Sequence, residues 1–217
     1  RMTFGTEGAD DPSRPLAVFR ACRVAPAVEF ALLDLALSEL ERDSAVCIGL
    51  PLSGGWLTDP DWQAALVARL TRSARAARRL VLELSSERGE AASWMSFVGR
   101  LRRAGAMIAL VNFGVSSMPL SDAIAIEPDV IDFGEQLVSA ASVSPRFRTI
   151  LRQLVPLAQA IAPVVTASGL ATPSALATAI RLGLAWGSGD QVIPASICRH
   201  WRIVHPAGPG MPVARSA

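Results

Sequence analysis

The sequence contains no lysine, so all of its basic side chains are arginines and no lysine-dependent step is open to it. Histidine is nearly absent: the two present, His200 and His205, stand near the C-terminus, outside the strand series and without ligand spacing to a partner. A Ser-His-Asp triad would need one of them folded back over a distant site, and the simpler reading is a surface histidine beside Trp201. The three cysteines, Cys22, Cys47 and Cys198, are odd in number and scattered, with no CxxC spacing. That argues for a reducing compartment and against a disulfide framework or a zinc site. Hydrophobic residues make up 51% of the chain, yet no apolar run reaches the length of a membrane span. The longest candidate, "FALLDLALSEL", is interrupted by Asp34 and Glu39. No signal peptide is visible. These absences point to a cytoplasmic domain, and the first residue, Arg1, makes it look like a piece of a longer chain.

Charge is nearly balanced, at +2. The run "RLTRSARAARRL" (69–80) could suggest nucleic acid, but no aromatics interleave with its arginines. It reads as a solvated helix face with Leu70 and Ala74 on the buried side, and no nucleic-acid partner is expected.

Apolar strand-like runs alternate with helical patterns through most of the 217 residues. Strands are expected in "AVCIGLPLS" (45–53), "RLVLELS" (79–85), "AMIALVNFG" (106–114), "DVIDFG" (129–134) and "APVVTASG" (162–169). These runs are continuously apolar, as burial on both faces requires, which indicates a parallel sheet covered by helices. Thr58-Asp59-Pro60 and Thr172-Pro173 each place a capping side chain before a proline that opens a helix. Further helices are expected over about 90–103 and 145–160. The repeated βα pattern fits an α/β fold, either a TIM-like (β/α) barrel or a doubly wound sheet, and no phosphate-binding glycine fingerprint follows a strand to favour the latter. One barrel domain is expected over 1–203, beginning with a polar loop (1–14), followed by a Pro/Gly-rich tail (204–217).

In a parallel barrel the active site forms at the carboxyl ends of the strands. Those ends supply Ser53, Glu83 with Ser85 and Ser86, Asn112, Asp132 and Ser168. Such a mouth is polar but poor in charge. With Glu83 and Asp132 its only carboxylates, it has too few anionic oxygens for a two-metal hydrolytic site. Glu83 sits mid-strand, where a charge is costly unless satisfied. It is either a structural glutamate bonded to neighbouring backbone or arginine, or a metal ligand.

Several segments together resemble the EAL family of cyclic di-GMP phosphodiesterases, which are (β/α) barrels. "AMIALVNFGVSSMPLSDAIAIEPDVIDFGEQLV" (106–138) matches without a gap the family stretch running through Asp-Asp-Phe-Gly to Asp-x-x-Lys-x-Asp. "LELSSE" (82–87) takes the place of the Glu-x-Thr-Glu strand, and "PVVTASGLATPSAL" (163–176) that of the Ala-Glu-Gly-Val-Glu-Thr segment. "LGLAWGSGDQV" (182–192) is similar to the stretch carrying Gln-Gly, and "CIGLPLSGGWL" (47–57) to the strand ending in Asn-Leu-Ser.

Carried over residue by residue, the resemblance records mostly losses. Glu83 falls on a metal-binding glutamate and keeps it. Pro51 replaces the metal-binding Asn, and Ser86 the second acid of its motif. Val111 and Asn112 replace the two metal-holding aspartates. Asp132 stands where the family has its catalytic lysine, and Gly134 where the following Asp belongs. Ser168 and Ala171 replace both late glutamates, and Ser188 the Gln. Arg1 has the place of the arginine that closes the Glu-Ala-Leu motif, so the first barrel strand would lie upstream of this chain.

The resemblance therefore implies a catalytically inactive, degenerate EAL-like domain with no metal, no cofactor and no catalytic residues. It would be a regulatory or protein-interaction module in bacterial cyclic di-GMP-type signalling, with a protein partner. The alternative is a receptor that holds cyclic di-GMP without cleaving it, through the remnant positions Arg1, Glu83, Asn112 and Asp132. A homodimer through the helix and loop after the Asp-Asp-Phe-Gly strand is the family's mode of association; here that loop, "GVSSMPLS" (114–121), has lost a glycine and gained Pro119.

Overall fold

The computed structural model describes residues 25–52, 59–85, 91–115 and 118–192. Arg1, Ser53, Ser86, His200 and His205, the polar loop and the tail lie outside these residues. The described elements run α1 (Ala25–Arg42), β1 (Ile48–Leu52), α2 (Pro60–Arg72), α3 (Ala74–Ala77), β2 (Leu80–Leu84), α4 (Ala91–Arg103) and β3 (Met107–Leu110). They continue with α5 (Leu120–Ile126), β4 (Val130–Phe133), α6 (Glu135–Val143), α7 (Pro145–Ile161), β5 (Val164–Ala167), α8 (Pro173–Arg181) and β6 (Trp186–Gly187).

The six strands form one sheet in chain order, β1 to β6, and every neighbouring pair is parallel. A doubly wound sheet would reverse its strand order at a switch point. Strictly sequential parallel order is the arrangement of a (β/α) barrel.

The two faces of the sheet are used differently. Leu50, Leu52, Leu82, Leu84, Ile108, Leu110, Ile131, Phe133, Val165 and Ala167 are buried and form the core with the helices. Burying one such leucine contributes about 1.5–3 kcal/mol, so this layer dominates stability. The alternate residues, Gly49, Val81, Glu83, Met107, Val130, Val164, Thr166 and Trp186, are only half-buried and line the inner face.

Local chemistry places the helices. The Asp59 side chain accepts from the amides of Asp61 and Trp62, with Pro60 in the first turn of α2, and Thr172 accepts from the Ala175 amide at the start of α8. Each such cap satisfies amides that have no partner within the helix. Arg79 donates to the carbonyls of Leu40 and Asp43, closing the end of α1 against the sheet. One expected packing detail is corrected. Leu70 is buried but Ala74 is exposed, because the chain breaks at Ser73 and restarts as α3, which turns Ala76 and Ala77 inward instead. Among the described residues, no helix is long and apolar enough to cross a membrane.

Candidate functional site

Register fixes which side chains share the inner face. Pro51 pairs with Glu83, Glu83 with Ala109, Ala109 with Val130, and Asp132 with Thr166. In parallel strands paired positions project to the same side, and residues two apart along a strand share a face. Glu83 and Asp132 therefore face the same interior, with Asp132 one layer nearer the carboxyl ends.

Asp132 is the centre of the site. Its side chain is buried, at 9% exposure. One carboxylate oxygen accepts from the Thr166 hydroxyl at 2.7 Å, and the other accepts from the Ser168 hydroxyl at 2.7 Å. Its main-chain carbonyl accepts from the Phe113 amide at 3.0 Å. Burial raises the carboxyl above its ordinary pKa, and the two hydroxyl hydrogen bonds oppose that rise without cancelling it. Ser168 is fixed in turn because its amide donates to the Phe133 carbonyl just past β5.

Asn112 stands at the end of β3 with φ +58, in the left-handed region that asparagine tolerates better than most residues. Its side chain lies across Gly134. A Cβ on Gly134 would stand 2.0 Å from the Asn112 amide oxygen, so the missing side chain at 134 is what makes room for this amide. Gly134 follows Asp132 by two in extended backbone, which puts the amide above Asp132 at the mouth. Phe113 is buried and meets Phe133 edge-on, with ring centroids 6.1 Å apart, anchoring the loop from below. Glu83 lies over Gly49, where a Cβ would stand 2.5 Å from its Oε1.

Asp132 and Ser168 thus meet directly, Asn112 covers the mouth beside them, and Glu83 sits one layer deeper. Arg1 and Ser53 fall outside the described residues. Sequence reasoning missed Thr166 as a member of the site. Its signal was parity: it precedes Ser168 by two, so both hydroxyls project to the side that carries Asp132.

The divalent metal held at the motif positions of the EAL family does not fit the residues described. No three His, Cys, Asp or Glu side chains converge among them, and both Asp132 oxygens are engaged by hydroxyls. What the cluster offers is a set of acceptors and hydroxyls with no cation.

A comparison with curated proteins found no match. Among solved structures, the EAL domain of Mycobacterium smegmatis DcpA superposes with a TM-score of 0.68 at 19% identity, over 79% of this chain and 80% of that one. The Bacillus subtilis YkuI protein, solved with substrate c-di-GMP and calcium, gives 0.68 at 22% identity, over 82% of this chain and 45% of that one. The Vibrio cholerae LapD S helix-GGDEF-EAL structure, bound to c-di-GMP, gives 0.70 at 15% identity, over 78% of this chain and 42% of that one. The chain therefore spans less than half the length of the latter two proteins. The family model for the EAL domain matches residues 1–195, and with that coverage the chain belongs to the EAL domain family.

Proposed function

We propose that this EAL domain is catalytically inactive and works as a regulatory, protein-interacting module of cyclic di-GMP signalling. The observation that carries the reading is the environment of Asp132. It occupies the position of the family's catalytic lysine, and its carboxyl is built into β5 by Thr166 and Ser168. Where phosphodiester chemistry needs a cationic donor, this site presents acceptor oxygens. The companion positions support the same conclusion. Val111 carries no ligand atom, and the Asn112 amide fills the space over Gly134.

Holding cyclic di-GMP without cleavage is the second reading, favoured by the complexes in which the LapD and YkuI structures contain that nucleotide. Against it, the described inner face carries Glu83 and Asp132 and no arginine to meet a phosphate. Calorimetric titration with cyclic di-GMP, with and without magnesium, separates the two. The proposed function predicts no saturable heat in either condition. Saturable binding without turnover would establish the receptor reading instead.

A further inference from the structure

The layer of the inner face that carries Asp132 also carries a tryptophan. Asp132 pairs with Thr166 and Thr166 with Trp186, so the three project to one side from β4, β5 and β6. Trp186 is half-buried, and its indole stacks on no other ring among the described residues. Thr166 and Ser168 are half-buried as well. One layer below, Val130 and Val164 give this shelf a half-buried apolar floor.

The count of protons decides what the shelf can bind. A hydroxyl has one proton to give and two lone pairs. Thr166 and Ser168 both spend that proton on Asp132, at 2.7 Å each. Their oxygens, and the remaining lone pairs of the carboxylate, can only accept, so a ligand must bring the donors. Asp132 is at 9% exposure, and a carboxylate so far out of water is costly unless a cation faces it. Among the described residues, no arginine forms an ion pair with it. Burial lifts its pKa, the direction expected of an acid with no cation beside it. Trp186 adds a second attraction for positive charge, since an indole face holds a cation within about 6 Å of its centre. Asp132 and Trp186 stand two strands apart, roughly 10 Å across the sheet. A cation over Thr166, at about 2.8 Å from the carboxylate, comes within reach of the indole. We propose that the shelf formed by Asp132, Thr166, Ser168 and Trp186 binds a primary alkylammonium group, with its N–H donors on the oxygens and its charge against the indole. The proposal builds on the reading of this mouth as non-catalytic. A free small amine and a lysine side chain of a protein partner share this chemistry.

The test follows the isotope-labelled whole chain by NMR at pH 8 and constant chloride, reading the Trp186 indole N–H and the Ser168 amide. n-Butylammonium is expected to shift both saturably, with a dissociation constant on the order of 1 mM. Tetramethylammonium, a cation without N–H donors, and n-butanol, the same chain without charge, should bind at least about tenfold more weakly. Asp132→Asn, which keeps a contact to each hydroxyl, should weaken butylammonium at least about tenfold. Trp186→Leu, read at Ser168, should weaken it about threefold. N-acetyl-lysine N-methylamide divides the two sources: tighter binding than butylammonium identifies a partner's lysine, and weaker binding a free amine. No saturable shift, equal binding of tetramethylammonium or butanol, or binding unchanged in either variant would overturn the proposal. Cyclic di-GMP hydrolysis, followed on the same preparation, separates the readings: turnover contradicts only the non-catalytic reading, and indifference to butylammonium contradicts only this ammonium site.

Discussion

Asp132→Asn isolates the chemistry at the centre of the site. The asparagine keeps both contacts, because its oxygen can accept from one of the Thr166 and Ser168 hydroxyls while its amide donates to the other. What it removes is a buried charge. Two charge-assisted hydrogen bonds become neutral ones, a loss of about 1 kcal/mol each. Opposing that loss is the desolvation of a carboxylate at 9% exposure, a penalty of several kcal/mol in a protein interior. The raised carboxyl pKa says that desolvation wins. A carboxyl whose folded pKa lies above its unfolded value binds more protons when folded. Its contribution to stability is therefore fully present below the unfolded pKa of about 3.9 and is lost as pH rises through the folded value. Asp132→Asn should accordingly raise stability at pH 8 by on the order of 1 kcal/mol, or about 2–4 °C in melting temperature for a chain of this size. The advantage should shrink towards zero near pH 4. Urea unfolding followed by circular dichroism at both pH values measures it. An asparagine variant less stable than the parent at pH 8, with the deficit growing as pH rises, would show that the carboxylate is stabilised as an ion and refute the argument.

Gly169→Ala should destabilise the fold by at least about 3 kcal/mol, because φ is +71 and the new Cβ would stand 2.2 Å from the Glu135 Cβ, which cannot swing away. Denaturant midpoints of that variant check the magnitude. Gly134→Ala should cost about 1–3 kcal/mol in the parent and at least about 1 kcal/mol less on an Asn112→Ala background, since the atom it strikes is the Asn112 amide oxygen. A double-mutant cycle with no coupling would mean the amide does not occupy that space. Installing Val111→Asp, Asn112→Asp and Asp132→Lys together should leave the protein without phosphodiesterase activity, because Pro51, Ser86, Ser168 and Ala171 would still supply no ligand and such groups act as a unit. Cyclic di-GMP turnover by the triple variant would contradict this.

The strands were legible because both faces carry mostly apolar side chains, those towards the helices buried and most of those on the inner face half-buried, which writes a nearly continuous apolar run. β2, β4 and β5 lie inside the expected segments with only a residue or two trimmed at each end. In the run 106–114 the strand was expected to give way to a loop at Asn112-Phe113-Gly114; β3 ends at Leu110, and Asn112 stands in the left-handed region where the chain leaves the sheet. Helices announced by a cap before proline, α2 and α8, were equally visible. Helices α5 and α6 were not, since Pro119 and Gly134 at their N-caps offer no side-chain hydrogen bond to read. β6, of two residues, is too short to carry a pattern. At the site, the sequence pointed to Asp132 and Ser168 but not to their bond. A hydroxyl donating across two strands depends on register, and register is set by pairing that no local pattern records.

Hydrolysis of cyclic di-GMP by the purified chain, with magnesium or manganese supplied, tests the central claim most directly. On the proposed reading, in which Asp132 takes the lysine's place, and with its oxygens held by Thr166 and Ser168, turnover should not rise above the rate without protein. Metal-dependent turnover abolished by Glu83→Ala would contradict the account, because it would mean that the glutamate of β2 still works in an intact catalytic centre.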